Sequence, residues 1–331
     1  MRRIPLSAIH DAAEALYTVA RRTPLIRFDP APDLAPRLGG YDLYLKLELL
    51  QPIGSFKIRG AWNVVRQLSP QDLRDGVWTV SAGNAAQGVA LAARTAGARC
   101  SVLVMDTAPA TKVAALERLG ANIVRAPYDE CWRTVETRQS TRMRGYYVAP
   151  FDDDRFIAGN ATVALEILED LPDVDIVIAP LGGGGLLAGI GSVLRELRPN
   201  ARAIAAEPET AAPFAQSLKR GRASVFEGWQ ASFVDGAGGR SVLPSMWPLL
   251  SELVSSSVVV SLGEAAAAMK AVAEQCHLII EGAAACAVAA ALSGRLHAPD
   301  TAAVRHGKMV AVLSGGNVDL STFASLIGAC G

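Results

Sequence analysis

An excess of charge of either sign is missing from this chain of 331 residues, in which 32 Lys plus Arg stand against 32 Asp plus Glu. That balance implies neither a nucleic-acid partner nor an acidic membrane surface, both of which are held by net positive charge. Cysteine is scarce. The five at positions 100, 131, 276, 286 and 330 contain no Cys-x-x-Cys pair, and an odd number fits reduced thiols better than a disulfide framework. The four histidines, His10, His277, His297 and His306, are scattered without metal-ligand spacing, so each reads as a surface or packing residue. A long uninterrupted apolar run is also lacking. The stretch from Leu278 to Leu292 is broken by Glu281-Gly282 and rich in small residues, which predicts a buried helix and not a membrane span. Met1-Arg2-Arg3-Ile4-Pro5 has no apolar stretch of a secretory signal, so cytoplasm is the expected location.

The length suggests two domains with ample core, at about 100–200 residues each. Strands rich in Val, Ile and Ala alternate with helices, the mark of an α/β architecture with mainly parallel sheets. Strands are expected at Trp78 to Val80, Cys100 to Met105, Asn122 to Arg125, Asp175 to Ala179, Ala203 to Glu207, Val258 to Ser261 and Lys308 to Leu313. Helices are expected at Ala86 to Thr95, Pro109 to Leu119, Ile157 to Leu171, Leu186 to Leu197 and Glu264 to Gln275. Gly221 to Pro248, rich in Gly, Ser and Pro with little periodicity, reads as a long functional loop.

Chemistry concentrates at four places. In Pro52-Ile53-Gly54-Ser55-Phe56-Lys57-Ile58-Arg59-Gly60-Ala61 a lysine sits between a tight turn and the start of an apolar helix. A lysine amine has an ordinary pKa of about 10.4, and burial lowers it toward the neutral form that attacks an aldehyde. Taken alone, Lys57 also reads as a solvated helix lysine. In the second place, the β-rich run Val77 to Val80 ends in the polar turn Ser81-Ala82-Gly83-Asn84 before an alanine-rich helix. In the third, Asp175 to Leu181 runs into Gly182-Gly183-Gly184-Gly185 and then a helix, an arrangement whose backbone amides suit an anion such as phosphate. In the fourth, a late buried strand ends at Ser314-Gly315-Gly316-Asn317. The glycine cluster lacks the Lys-Ser/Thr of a nucleotide-binding P-loop, and it lacks the Gly-x-Gly-x-x-Gly spacing of a dinucleotide fold. A small phosphorylated aldehyde fits both demands, and pyridoxal phosphate is such a molecule.

Arg22-Thr23-Pro24-Leu25, Leu45-Lys46-Leu47-Glu48, Ser55-Phe56-Lys57 and Ser314-Gly315-Gly316-Asn317, in that order and nearly end to end, resemble the threonine/serine dehydratase group of fold-type II pyridoxal-phosphate enzymes. That group, within the tryptophan synthase beta-like superfamily, also contains serine racemase. The resemblance implies a two-domain α/β fold, with residues 77–151 inserted in a larger cofactor-binding domain made of 1–76 plus 152–331. It makes Lys57 the Schiff-base lysine and places Phe56 beside the pyridine ring. Asn84 faces the phenolic oxygen, Gly182, Gly183, Gly184, Gly185 and the amide of Leu186 hold the phosphate, and Ser314 faces the pyridine nitrogen. A neutral hydroxyl there makes the ring a weaker electron sink than a carboxylate would, which favours β-elimination over transamination. Ser81, Ala82, Gly83, Asn84 and Ala85 form the turn that grips an amino-acid carboxylate; for Ser81 and Asn84 the alternative is plain helix N-capping. The implied activity is that of an ammonia-lyase converting a β-hydroxy amino acid to a 2-oxo acid and ammonia, in a homodimer. β-Replacement, racemisation and a pyridoxal-phosphate-binding regulatory protein without turnover are the alternatives.

Departures from the group's pattern refine these expectations. Racemases of the group carry an acid/base serine where this chain has Ala82, so lyase chemistry is favoured. Ala85 replaces the usual histidine, which predicts a substrate bulkier than threonine, with Ser232 to Gly239 on the opposite wall. Gly159-Asn160-Ala161-Thr162 replaces Gly-Gln-Gly-Thr. The group's divalent-cation site pairs a glutamate with an aspartate six residues later; here Glu207 is followed by Pro213, whose side chain offers no oxygen, so no metal is expected. Glu207, Glu209 and Glu281 then read as ordinary polar or cofactor-neighbouring groups. The amino-acid-sensing C-terminal domain of feedback-regulated relatives is not expected either.

Overall fold

The computed structural model describes residues 2–296 and 307–329; His297, His306 and Cys330 lie outside them. Among the described residues the strands are β1 (Leu25–Phe28), β2 (Tyr41–Lys46), β3 (Val77–Val80), β4 (Cys100–Met105), β5 (Asn122–Ala126), β6 (Tyr146–Tyr147), β7 (Ile176–Pro180), β8 (Arg202–Pro208), β9 (Ser256–Val260) and β10 (Gly307–Val312). They build two sheets. The larger has the order β1-β2-β10-β7-β8-β9, parallel except for β1 against β2, and the smaller has the order β5-β4-β3-β6, parallel throughout.

Side chains alternate across a strand, and here both faces of the larger sheet are apolar. Ile176 and Ile178 of β7 pack on one face with Leu43, Leu45 and Ile204, under helices Leu262–Cys276 and Gly282–Ala291. Val177 and Ala179 pack on the other with Ala203, Ala205, Val310 and Val312, under helices Asp154–Asp170 and Gly185–Leu197. Strands covered on both sides read as unbroken apolar runs, which is why the central ones were legible.

Seven strands were expected from the sequence, and each lies within two residues of its observed ends. β1, β2 and the two-residue β6 were not foreseen, nor was helix Tyr128–Thr137. The helix expected from Leu278 is shorter: it starts at Gly282, with Glu281 at the N-cap, and Leu278 to Ile280 are not helical. Gly221 to Pro248 is largely loop, with a short 3-10 helix at Asp235–Ala237 and a bridge between Val225 and Ser241, until helix Trp247–Leu253 begins. Cys100, Cys131, Cys276 and Cys286 are free thiols. Among the described residues no helix is long and apolar enough to cross a membrane.

A charged cluster is enclosed beneath the lysine-bearing helix Lys57–Val65. Arg59 sends Nε and Nη2 to the two oxygens of Glu48 at 2.7 and 2.8 Å, and Nη1 and Nη2 to the two oxygens of Glu166 at 2.7 and 2.9 Å. Lys46 Nζ reaches Glu166 at 2.6 Å and donates to the Thr23 carbonyl at 2.7 Å, while the Thr23 hydroxyl donates to Glu48 at 2.6 Å. These ions are fully buried, so only their mutual pairing makes the arrangement tolerable. The cluster ties the first turn of the Lys57 helix to β2 and to helix Asp154–Asp170.

Candidate active site

A cavity of about 400 Å³ opens between the two sheets, and every residue expected to bind cofactor or substrate lines it: Phe56, Lys57, Ser81, Ala82, Gly83, Asn84, Ala85, Gly182 to Gly185, Leu186 and Ser314. Its size lies in the usual range of small-molecule sites, about 300–1,000 Å³. A second cavity of about 360 Å³, beyond Pro150 and Phe151, contains none of them.

The turn before helix Lys57–Val65 is pinned to the Ser314 motif. Phe56 N donates to the Ser314 carbonyl at 3.1 Å, and Gly316 N to the Gly54 carbonyl at 2.9 Å. Lys57 Nζ donates to the Pro150 carbonyl at 2.9 Å and lies 5.1 and 5.5 Å from the ring centres of Phe56 and Phe156. Burial pulls its pKa down to about 8, against the opposing attraction of Glu281. The solvated-lysine reading is thereby set aside.

Helix Asn84–Thr95 passes close enough to the Lys57 backbone that a Cβ on Gly88 would sit 2.9 Å from the Lys57 carbonyl oxygen. This contact sets the Ser81 to Asn84 turn against the lysine. Capping does not explain the turn. Gly83 occupies the N-cap, the Ser81 hydroxyl accepts from Gly83 N at 3.1 Å, and Asn84 is already the first helical residue. The Asn84 amide nitrogen donates to both Glu281 oxygens at 2.9 and 3.0 Å, while its oxygen accepts from Asn317 at 2.8 Å. Burial raises the Glu281 pKa to about 7, with Asn84 as the main opposing hydrogen bond.

In the glycine loop, Gly184 has φ of 88°, the left-handed region that suits glycine, and caps helix Gly185–Leu197. A side chain on Gly183 would collide with the Phe151 ring, 2.1 Å from the added Cβ, so protein packing by itself demands glycine there. Asp235, Gly236, Gly238 and Gly239, from the long loop, complete this wall. Lys112 pairs with Asp235 across the cleft.

Other acidic candidates fall elsewhere. Glu207 lies outside the cavity and accepts from the amides of Phe214 and Ala215, both at 2.8 Å, and from the Ser257 hydroxyl at 2.5 Å. It caps helix Pro213–Arg220, and burial raises its pKa to about 7. Glu209 accepts from Leu262 N at 2.9 Å. Four lining residues, Tyr128, Cys131, Trp132 and Val135, were not singled out from the sequence, although their spacing of three, four and seven is that of one helix face.

A family model described as pyridoxal-phosphate dependent enzyme matches residues 16–315. The chain belongs to that family. It is 36% identical over 326 residues to an L-threonine ammonia-lyase of Thermotoga maritima, covering 98% of this chain and 78% of the relative. Among solved structures, it is similar to the processed form of threonine deaminase isoform 2 from Solanum lycopersicum, with a TM-score of 0.85, 31% identity, and 98% and 93% of the two chains covered. Maize serine racemase is similar at a TM-score of 0.86 and 29% identity, with 99% and 98% covered. Dehydratase-like and racemase structures thus share this fold.

The side chains present fit the family's cofactor. The Ser314 hydroxyl is buried in the cavity wall with no hydrogen-bond partner among the described residues. Such a group is costly unless a ligand atom or water meets it, and a ring nitrogen can. The lysine amine for an aldehyde and the glycine loop for a phosphate line the same space.

Proposed function

We propose that the protein is an ammonia-lyase that converts a β-hydroxy amino acid to a 2-oxo acid and ammonia. In this reading Lys57 holds the cofactor through its aldehyde, Phe56 packs beside the pyridine ring, and Ser314 meets the ring nitrogen. Gly182 to Gly185 and the Leu186 amide hold the phosphate, and Asn84, oriented by Glu281 and Asn317, meets the phenolic oxygen. When bound, the cofactor supplies a sink for the electron pair left at Cα. The Ser81 hydroxyl and the amides of Gly83 and Asn84, at a helix N-terminus, grip the substrate carboxylate. Lys57 takes the Cα proton, a general-base role worth about 10²–10⁴-fold in rate. The observation that carries a lyase over a racemase is Ala82: the turn presents a methyl group where racemases of the group carry an acid/base serine. Residues 77–151 act as a domain that closes on the remainder, with the Lys112–Asp235 pair spanning the cleft.

The test is a panel of β-hydroxy amino acids assayed for 2-oxo acid release by the holoenzyme, with borohydride reduction followed by peptide mapping. The label should fall on Lys57, and loading of cofactor-free protein should speed up as the pH rises through about 8, where the Lys57 amine becomes neutral. A label on Lys46 or Lys112 overturns the assignment. New amino acids formed with added thiols would point to β-replacement instead, and binding without turnover to a regulatory protein.

A further inference from the structure

Helix Tyr128–Thr137 carries an apolar stripe that its own sheet does not finish covering. Tyr128, Cys131, Trp132 and Val135 share one helix face and all line the cleft cavity. Cys131 is buried with Trp78, Val80 and Leu103, but Tyr128 and Trp132 are only half-buried. Val80, Leu103 and Met105, toward the C-terminal ends of β3 and β4, extend the same wall. The Trp132 indole N–H is taken up by Glu136 at 2.9 Å, which leaves the ring as hydrocarbon surface. The Arg240 guanidinium stacks 4.6 Å from the Tyr128 ring centre and 3.9 Å from that of Trp229, holding Tyr128 in place. Arg240 lies outside the cavity lining; of the charges that do line it, Lys57 is the lysine assigned to the cofactor, Lys112 pairs with Asp235, and Glu281 accepts from Asn84. The stripe itself, Tyr128, Cys131, Trp132 and Val135, presents no charged side chain to a substrate.

Building on the ammonia-lyase reading, we infer that the preferred substrate is a β-hydroxy-α-amino acid bearing an aryl group on Cβ, its ring packed against Trp132, Tyr128 and Met105. The Cα–H and Cβ–O bonds break, and the hydroxyl leaves with a proton as water. Hydrolysis returns one water at Cα and releases ammonia. The net products are a 3-aryl-2-oxo acid and ammonia, with no oxidant or reductant needed. Serine and threonine leave the aromatic wall wetted, so their transition states gain nothing from it.

The holoenzyme is assayed with L-threo-3-phenylserine, L-threonine and L-serine, and unreactive L-phenylalanine and L-alanine are titrated against the visible cofactor absorbance. Phenylserine should show the highest kcat/KM, and phenylalanine should perturb the absorbance at lower concentration than alanine. Trp132→Ala should lower the phenylserine-to-serine ratio about 10- to 200-fold, the range of pocket-filling differences. Trp132→Leu, which preserves more of the helix packing, should lower it less. If no 2-oxo acid forms from any substrate yet phenylalanine outbinds alanine, the lyase reading falls and the aryl pocket stands. If threonine is turned over faster than phenylserine and alanine binds as well as phenylalanine, the pocket inference falls and the lyase stands. Equal losses for both substrates in the Trp132 variants also overturn it.

Discussion

Replacing Arg59 by methionine removes the central cation of the buried cluster two positions beyond Lys57. In the native protein Lys46 and Arg59 face Glu48 and Glu166, two charges of each sign; in the variant Lys46 still pairs with Glu166, and Glu48 loses its cation. Leaving a buried charge unpaired costs about 3–5 kcal/mol. At about 2–4 °C per kcal/mol for a large domain, Tm should fall by about 6–20 °C. The deficit should also depend on pH. Burial opposes ionisation of Glu166, but the charges of Arg59 and Lys46 outweigh it and hold its carboxyl below the ordinary value. The native carboxylate therefore adds stability that is present above the unfolded-state pKa, about 4.3, and is lost as the pH falls. Without Arg59 the one remaining cation cannot offset the burial of two carboxylates, so the pair together holds a proton to a pH above the unfolded-state value. The variant then loses stability as the pH rises through that interval, so the gap in Tm should widen from pH 5 to pH 8. Thermal unfolding of both proteins at these two pH values measures it. Arg59→Lys keeps the charge but loses the two-pronged geometry, and should fall between them. A deficit under about 2 °C at pH 8, or one independent of pH, refutes the reasoning and means that the cluster exchanges its ions for water.

Two further substitutions test the turn. Ala82→Ser places a hydroxyl on the cavity wall and should raise the D-enantiomer formed per 2-oxo acid from L-serine, as read by chiral chromatography; native protein that racemises faster than it eliminates contradicts the lyase reading. Ala85→His fills space beside the carboxylate-binding turn and should lower kcat/KM for bulky β-hydroxy amino acids relative to serine by about 10- to 200-fold. Equal losses across substrate sizes would mean that Ala85, which is buried at the helix start, only packs there.

The central strands are legible as apolar runs, the cavity residues Gly182 to Gly185 and Ser314 because each follows such a run, and Lys57 because it stands between a tight turn and the start of an apolar helix. β1 and β2 were hidden for a physical reason. Leu45-Lys46-Leu47-Glu48 alternates like a strand with one wet face, but its charged residues point into protein and are neutralised by Arg59 and Glu166, distant in sequence. No local pattern announces such pairing. Helix Tyr128–Thr137 was masked by its polar outer face, although the spacing of its apolar residues was present. The link from Glu281 to Asn84 spans 197 positions and exists only once the chain has folded. Capping at Ser81 and Asn84 was a fair local expectation, and the observed backbone puts Gly83 at that position instead.

The division of the cavity walls along the chain has a consequence for how such a protein can change. Phe56, Lys57, the glycine loop with Leu186, and Ser314 all lie outside residues 77–151, while Val80, Leu103, Met105, Tyr128, Cys131 and Trp132 all lie inside. Asn84 crosses the division to Glu281 and Asn317, as do Lys112 to Asp235 and Lys57 to the Pro150 carbonyl. On the aryl-pocket inference one contiguous stretch carries the choice of substrate side chain, and exchanging it between relatives amounts to grafting a new selector onto an unchanged chemical engine. Such a chimera must keep Asn84, the Gly88 contact with the Lys57 backbone, the Pro150 carbonyl that accepts from Lys57, the Phe151 ring against Gly183 and the Lys112–Asp235 pair.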